Sequence, residues 1–194
     1  MGINRIEEVR VYKNRFVSFY DDAVEFPSGH RGSYVRMAWR ANYSVGIIPI
    51  NKENEIVFIN QFCYAAQKWF LQIPKGIGET RLSPEEVAIK ELKEELGGAA
   101  ERIDLLFSLF TDPGIIESPT HIFVARGLVC NQHFSREPSE VIGNLESFTI
   151  DELLSRTTLS RIQDSLTLAS LMRFIYSTNR PELSRKNKKR QAMP

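Results

Sequence analysis

The chain has 194 residues, 42% of them hydrophobic, enough for one well-buried core but leaving little sequence for a second independent domain. Lysine and arginine number 25 against 24 acidic residues, a net charge of +1, so there is no global basic field for nonspecific nucleic-acid binding and any charge-dependent function must be local. The most apolar runs, residues 44–50 and 56–59, fall far short of the roughly 20 residues that span a bilayer, which argues against a membrane partner.

Residues 6–19 and 33–39 alternate apolar and polar side chains on either side of the turn sequence Phe26-Pro27-Ser28-Gly29-His30, the pattern of an antiparallel hairpin or meander. Residues 43–50 and 55–61 are β-rich runs joined by the polar tetrad Asn51-Lys52-Glu53-Asn54, and they predict a central hairpin. A further strand is expected at 69–73, followed by the loop Pro74-Lys75-Gly76-Ile77-Gly78, whose glycines let backbone approach a ligand or ion. Ser83 as N-cap, Pro84 in the first turn, Glu86 completing a capping box and Gly97-Gly98 past the end delimit a helix over 83–96. Strands are expected at 103–110, 120–129 and 146–150, and helices at 151–154 and 160–177. Cys63 and Cys130 lack C-x-x-C spacing and no secretory leader precedes them, so both read as buried thiols in a reducing, cytoplasmic setting. The tail 179–194 is polar and basic, with too few apolar residues to pack. Strands before and after an internal helix, with helices at the C-terminus, make an α/β fold with a mixed sheet covered by helices.

On the helix, Glu91 and Glu95 are one turn apart and Glu94 lies beside them, while Ile89, Leu92 and Leu96 are expected to face the core. Three carboxylates toward the C-terminal half repel one another and oppose the helix dipole, penalties that a bound cation removes. Oxygen donors without a nearby His or Cys suit Mg2+ or Mn2+, and these ions commonly bridge carboxylates to phosphates. A solvated acidic face balanced by Lys90 and Lys93 accounts for the same residues.

The run Gly76-x5-Leu82-x7-Lys90-Glu91-Leu92-x-Glu94-Glu95-x-Gly97-Gly98 resembles the Nudix box, G-x5-E-x7-R-E-U-x-E-E-x-G-U with U aliphatic, without a gap. Gly76, Glu91, Leu92, Glu94, Glu95 and Gly97 match; Leu82, Lys90 and Gly98 depart. The resemblance extends over about residues 9–154 and is most like the ADP-ribose pyrophosphatase branch. Residues 20–29 resemble its N-terminal sheet, Gln61-Phe62-Cys63-Tyr64 its Q-Y-R-Y segment, residues 69–76 its W-x-x-E-x-P-x-G approach, and residues 111–117 its S-P-G-x-x-x-E loop.

The resemblance implies an α/β/α sandwich with a mixed sheet over 43–178, an N-terminal antiparallel segment at 1–42 that forms a homodimer, and a basic tail at 179–194. It implies hydrolysis of the pyrophosphate bond of ADP-ribose or a related nucleoside-diphosphate sugar to AMP and a sugar phosphate, by metal-activated water. Glu91 and Glu95 would hold Mg2+ or Mn2+, with Glu94 and the backbone carbonyl of Lys75 in support; Glu140 or Glu137 would be the loop base, Glu140 being preferred. Pro113, Glu117 and Trp69 would contact substrate, with Phe62 and Phe70 as further stacking surfaces. Leu82 and Lys90 remove an acid and its basic counterpart together, Cys63 replaces an arginine that in relatives would contact phosphate, and Gln72 replaces an acidic residue; Glu79 would substitute in part for the missing acid. These departures support a competing reading, a weakened Nudix-fold nucleotide-binding or regulatory module. An RNA or acidic partner for the basic tail is the weakest alternative.

Overall fold

The computed structural model describes residues 2–130 and 139–179. The N-terminal strands β1 (Asn4–Glu7), β2 (Arg10–Lys13), β3 (Val17–Glu25) and β4 (Arg31–Trp39) form an antiparallel sheet. β3 and β4 pair without interruption from Val17↔Trp39 to Glu25↔Arg31, and the 26–30 turn closes them. β1 and β2 share the other edge of β3, separated by a break at Glu8 and Val9. The expected strand at 6–19 is therefore two short strands and the start of a third, and β3 runs on through Asp21-Asp22. Charge conceals that continuation. Asp22 is 3% exposed, accepting the Val9 amide at 3.0 Å and the Arg36 Nε at 2.6 Å, so a buried ion pair replaces the apolar contact that alternation would have shown.

The main sheet contains β5 (Ser44–Asn51), β6 (Ile56–Cys63), β7 (Lys68–Gln72), β8 (Lys75–Ile77), β9 (Gly98–Ala99), β10 (Arg102–Leu109), β11 (Thr120–Cys130) and β12 (Ile142–Phe148). It is mixed: β11 runs parallel to β5 and the other pairs are antiparallel. The expected central hairpin pairs only at Ile50↔Ile56. Beyond that point the strands fork, β8 pairing with β5 and β7 with β6, and the amide of Ile47 donates to the Pro74 carbonyl at 2.9 Å between the prongs. The segment 74–78, expected as loop, is thus partly strand. Its backbone is held by the fork, which places Lys75 and Gly76 at an opening in the sheet.

Helix α1 (Pro84–Leu96) covers one face, burying Val87, Ala88, Leu92 and Leu96 against Val45, Ile47, Val57, Ile59 and Phe123. The opposite face packs Ile48, Phe58, Ile73 and Val124 against Leu153 of α2 (Ile150–Leu154), Ile162, and Leu166, Leu171 and Phe174 of α4 (Ser165–Asn179). Alternate residues of β5 feed the two cores, as period-2 side chains require of a sheet covered on both faces, and the result is an α/β/α sandwich. The expected helix over 160–177 begins later, because Asp164 accepts the Thr167 amide and starts α4, while Ser155 caps a separate short helix α3 (Arg156–Leu159). Strand β12 starts before the expected residue 146, and Thr149 with Glu152 forms a capping box that turns the chain into α2. Ile89 is 50% exposed, against the expectation that it faces the core, because the inward stripe of α1 passes through Val87, Ala88 and Glu91. Neither thiol is fully buried: Cys63 is half-buried at the end of β6 and Cys130 is exposed at the end of β11. Among the described residues no helix is long and apolar enough to cross a membrane. The tail lies outside the described residues except for Asn179, which ends α4.

Candidate active site

The start and end of α1 are set as the sequence signals. Ser83 Oγ accepts the Glu86 amide at 3.2 Å, the Glu86 carboxylate accepts the Ser83 amide at 2.7 Å, and Gly97 closes the helix in the left-handed region at φ 59°. Those limits orient the glutamates. Glu91 is 7% and Glu95 0% exposed, so a solvated acidic face does not describe them. Glu94 is turned to the rim, where it pairs with Lys90 at 2.8 Å.

Glu140, which precedes β12, joins the two helix residues: one carboxylate oxygen from each of Glu91, Glu95 and Glu140 lies within 4.8 Å of the others. The backbone wall beside them is β8. Lys75 donates its amide to Glu95 Oε2 at 3.1 Å, while its ammonium turns to Asp164 at 3.0 Å. A Cβ at Gly76 would collide with the Glu91 side chain, so any larger residue there would push that carboxylate out of place. Burial first, and then the charges of Glu91 and Glu140, push the Glu95 carboxyl well above its ordinary pKa, against the opposing pull of Lys75. Its Oε1 is buried without a hydrogen-bond donor. A buried carboxylate with an orphaned acceptor beside two like charges is unfavourable alone, and a hard divalent cation satisfies all three conditions. The donor set therefore fits Mg2+ or Mn2+.

The altered box positions have their own partners. Lys90 pairs with Glu79 at 3.1 Å as well as with Glu94; partial burial works against its charge, but these carboxylates hold the ammonium well above its ordinary pKa. Leu82 packs against the core beneath α1, and its carbonyl accepts the Tyr43 hydroxyl at 2.7 Å. Gln72 is fully buried and donates to Gln61 Oε1, with the Cys63 thiol 4.0 Å from its carbonyl oxygen.

A cleft of about 720 Å3 opens over the carboxylates. Glu91, Glu94, Glu140, Lys75 and Lys90 line it, together with Gln61, Glu79 and Ser139. Trp69, Pro113 and Glu117 do not. Trp69 is 52% exposed on β7 with its ring edge-on to Phe62. Pro113 and Glu117 belong to a connection that docks on β4: Met37 donates to Ile115, Glu117 donates back to Met37 at 3.0 Å, and the Glu117 carboxylate pairs with Arg36. Glu137 lies outside the described residues. The sequence reading missed Arg15, Phe16, Arg40 and Arg81, which also line the cleft. Isolated arginines at turns carry no local signal: Arg15, Phe16 and Arg40 reach the site through the docking of the N-terminal sheet, and Arg81 through the connection between β8 and α1.

A forked mixed sheet with glutamates of one helix beneath the fork defines a class, and comparison with known proteins identifies it. The NUDIX domain model matches residues 40–168, and the chain belongs to the Nudix family. The similarity runs to its ADP-sugar branch. The chain is 31% identical to the methanol dehydrogenase activator of Bacillus methanolicus over 166 residues, covering 86% of this chain and 89% of that one. It is 24% identical to the ADP-ribose pyrophosphatase of Bacillus subtilis strain 168, covering 84% and 86%. The crystal structure of an ADP compounds hydrolase superposes with a TM-score of 0.77 at 21% identity, covering 93% of this chain and 96% of that one.

Proposed function

We propose that the protein hydrolyses the pyrophosphate bond of ADP-ribose or a related nucleoside-diphosphate sugar, releasing AMP and a sugar phosphate. The observation that carries this reading is the convergence of Glu91, Glu95 and Glu140 within 4.8 Å, Glu91 and Glu140 lining the cleft and Glu95 buried beside them. The named activities of the ADP-ribose pyrophosphatase and ADP compounds hydrolase relatives support the substrate class. Mg2+ or Mn2+ held by these carboxylates would lower the pKa of a bound water and offset charge on the phosphate oxygens. Glu91 and Glu95 are the ligands fixed by the helix, Glu140 is the carboxylate brought in from outside it as ligand or base, and Lys75 holds Glu95 in orientation through its amide. Glu94 acts through Lys90, which reaches on to Glu79; that ion pair takes the place of the box acid and arginine absent at positions 82 and 90. Substrate contacts by Pro113, Glu117 and Trp69 belong to the same reading; none of the three lines the cleft, so in a homodimer they would meet substrate bound to the partner protomer. The protein is proposed to work as a cytoplasmic homodimer joined through the N-terminal sheet, whose Ile3, Ile6, Val11, Tyr12 and Val35 are exposed.

One observation favours a second reading, a binding or regulatory module: buried Gln72 presents a neutral amide to Gln61 where an acid is usual, and one relative is named an activator. A single assay separates the two. Purified protein is incubated with ADP-ribose, other nucleotide sugars, dinucleotides and capped RNA, each with Mg2+ and Mn2+, and monophosphate release is scored. AMP from ADP-ribose is the expected product; saturable binding with no turnover of any substrate would establish the module instead.

A further inference from the structure

Three arginines reach the cleft from separate parts of the chain. Arg15 sits in the β2–β3 turn, Arg40 follows β4, and Arg81 lies in the segment leading to α1. Their backbone settings are built. Asn14 Oδ1 accepts the amides of Phe16 and Val17 at 2.8 and 2.9 Å, an Asx turn that presents Arg15, and the Arg40 amide donates to the Phe16 carbonyl at 2.9 Å, tying the two arginine-bearing segments together. The Arg15 guanidinium lies 4.4 Å from the centre of the Phe16 ring, which limits its rotamers.

The charges around the cleft are divided in an informative way. Its lysines are engaged, Lys75 with Asp164 and Lys90 with Glu79 and Glu94. Among the described residues no carboxylate pairs with Arg15, Arg40 or Arg81, although the acidic cluster shares the same cleft. Opposite charges held apart across one cavity suit a ligand that needs both: a cation on the carboxylates for one side of a diphosphate, and guanidinium forks for the other.

We propose that Arg15, Arg40 and Arg81 form a phosphate clamp over the carboxylate cluster, through which the N-terminal sheet supplies part of the substrate site to its own chain. The ligand class is a diphosphate diester. The inference rests on the pyrophosphatase reading, and its test is arranged so that the two fail separately.

The test compares wild type with Arg15→Gln, Arg40→Gln, Arg81→Gln, the triple variant and the three Lys variants. The readouts are KM and kcat for ADP-ribose hydrolysis, metal-free binding of ADP by calorimetry, and the dependence of that binding on salt. Each Gln change is expected to raise KM about tenfold with a much smaller change in kcat, since a charge-assisted hydrogen bond to bound phosphate is lost. ADP binding should weaken in parallel and lose part of its salt dependence, and the Lys variants should recover only part of the affinity because they keep charge without the fork. Thermal midpoints and Mn2+ affinity should stay at wild-type values, which separates clamp loss from misfolding. A triple Gln variant with wild-type KM and ADP affinity overturns the clamp. Absence of turnover in the wild type overturns the pyrophosphatase reading, and metal-free ADP binding then still decides the clamp.

Discussion

At the scale of the residue, the site sets function against stability. Glu95 is fully buried beside Glu91 and Glu140, so its carboxylate is costly until a cation arrives. Replacing it with an isosteric amide removes like-charge repulsion together with the ligand. Glu95→Gln is expected to abolish metal-dependent hydrolysis and the thermal shift on adding Mn2+, while raising the thermal midpoint of the metal-free protein. Turnover near wild type at saturating Mg2+ would remove Glu95 from the site. Glu79→Gln tests the rim: leaving Lys90 with Glu94 alone should weaken Mn2+ affinity about tenfold or more, as loss of supporting groups around metal ligands does elsewhere. Unchanged Mn2+ affinity would show that the Lys90 pairs are only surface contacts. Glu91 and Glu95 were legible in the sequence because spacing along one helix is a local property. Arg15 and Arg40 were not, because their turns reach the cleft only after the N-terminal sheet has docked, and Arg81, in the connection before α1, carries no pattern that marks a lone arginine as part of a site.

At the scale of the element, charge inside a strand misled the reading and now organises the docking. Arg36 on β4 lies 3.7 Å from the centre of the Tyr20 ring and bonds Asp22, Glu8 and Glu117, joining the N-terminal sheet to the 111–118 connection. Burial alone would raise the Asp22 pKa, but the bonds from Arg36 and the Val9 amide, with the charge of Arg5, hold it below the usual aspartate value of 3.8. A depressed carboxyl pKa contributes stability that is present above the unfolded value and lost as pH falls through the folded one. Asp22→Asn should therefore cost about 1–3 kcal/mol at pH 7, and the gap from wild type should close as pH drops below 4. Denaturant midpoints at pH 7, 5 and 3 measure it; a gap constant across that range would mean the pair adds nothing electrostatic. Helix α1 was readable to the residue because its caps are local, whereas the fork between β5 and β6 was not. Two β-rich runs around a polar turn look the same whether they pair for their whole length or part after one residue pair.

At the scale of the molecule, the N-terminal sheet has two faces and one use already assigned. Its end at Phe16 and Arg40 overhangs the cleft, while Val11, Tyr12, Tyr34 and Val35 remain exposed. Exposed apolar side chains on a small sheet are the material of a symmetric interface. Sedimentation at micromolar concentration should give a dimer, and Val11→Asp with Val35→Asp should give a monomer that keeps its circular dichroism. A wild-type monomer would return those side chains to solvent and leave Pro113, Glu117 and Trp69 without a route to the substrate.

The fork has a practical corollary. Because β5 and β6 meet only at Ile50 and Ile56, their turn at 52–54 is exposed and lies at the opposite end of β5 from the residues that pair with Ser44 to Gly46 beside the cleft, about 20 Å of strand away. Asn51 and Glu55 clasp the base of that turn through two side-chain hydrogen bonds, and its tip adds only an exposed ion pair, Lys52 with Glu101 at 3.5 Å. A fluorescent protein spliced between Glu53 and Asn54, or new chain ends opened there, would report on the enzyme from outside while leaving its carboxylates where they are.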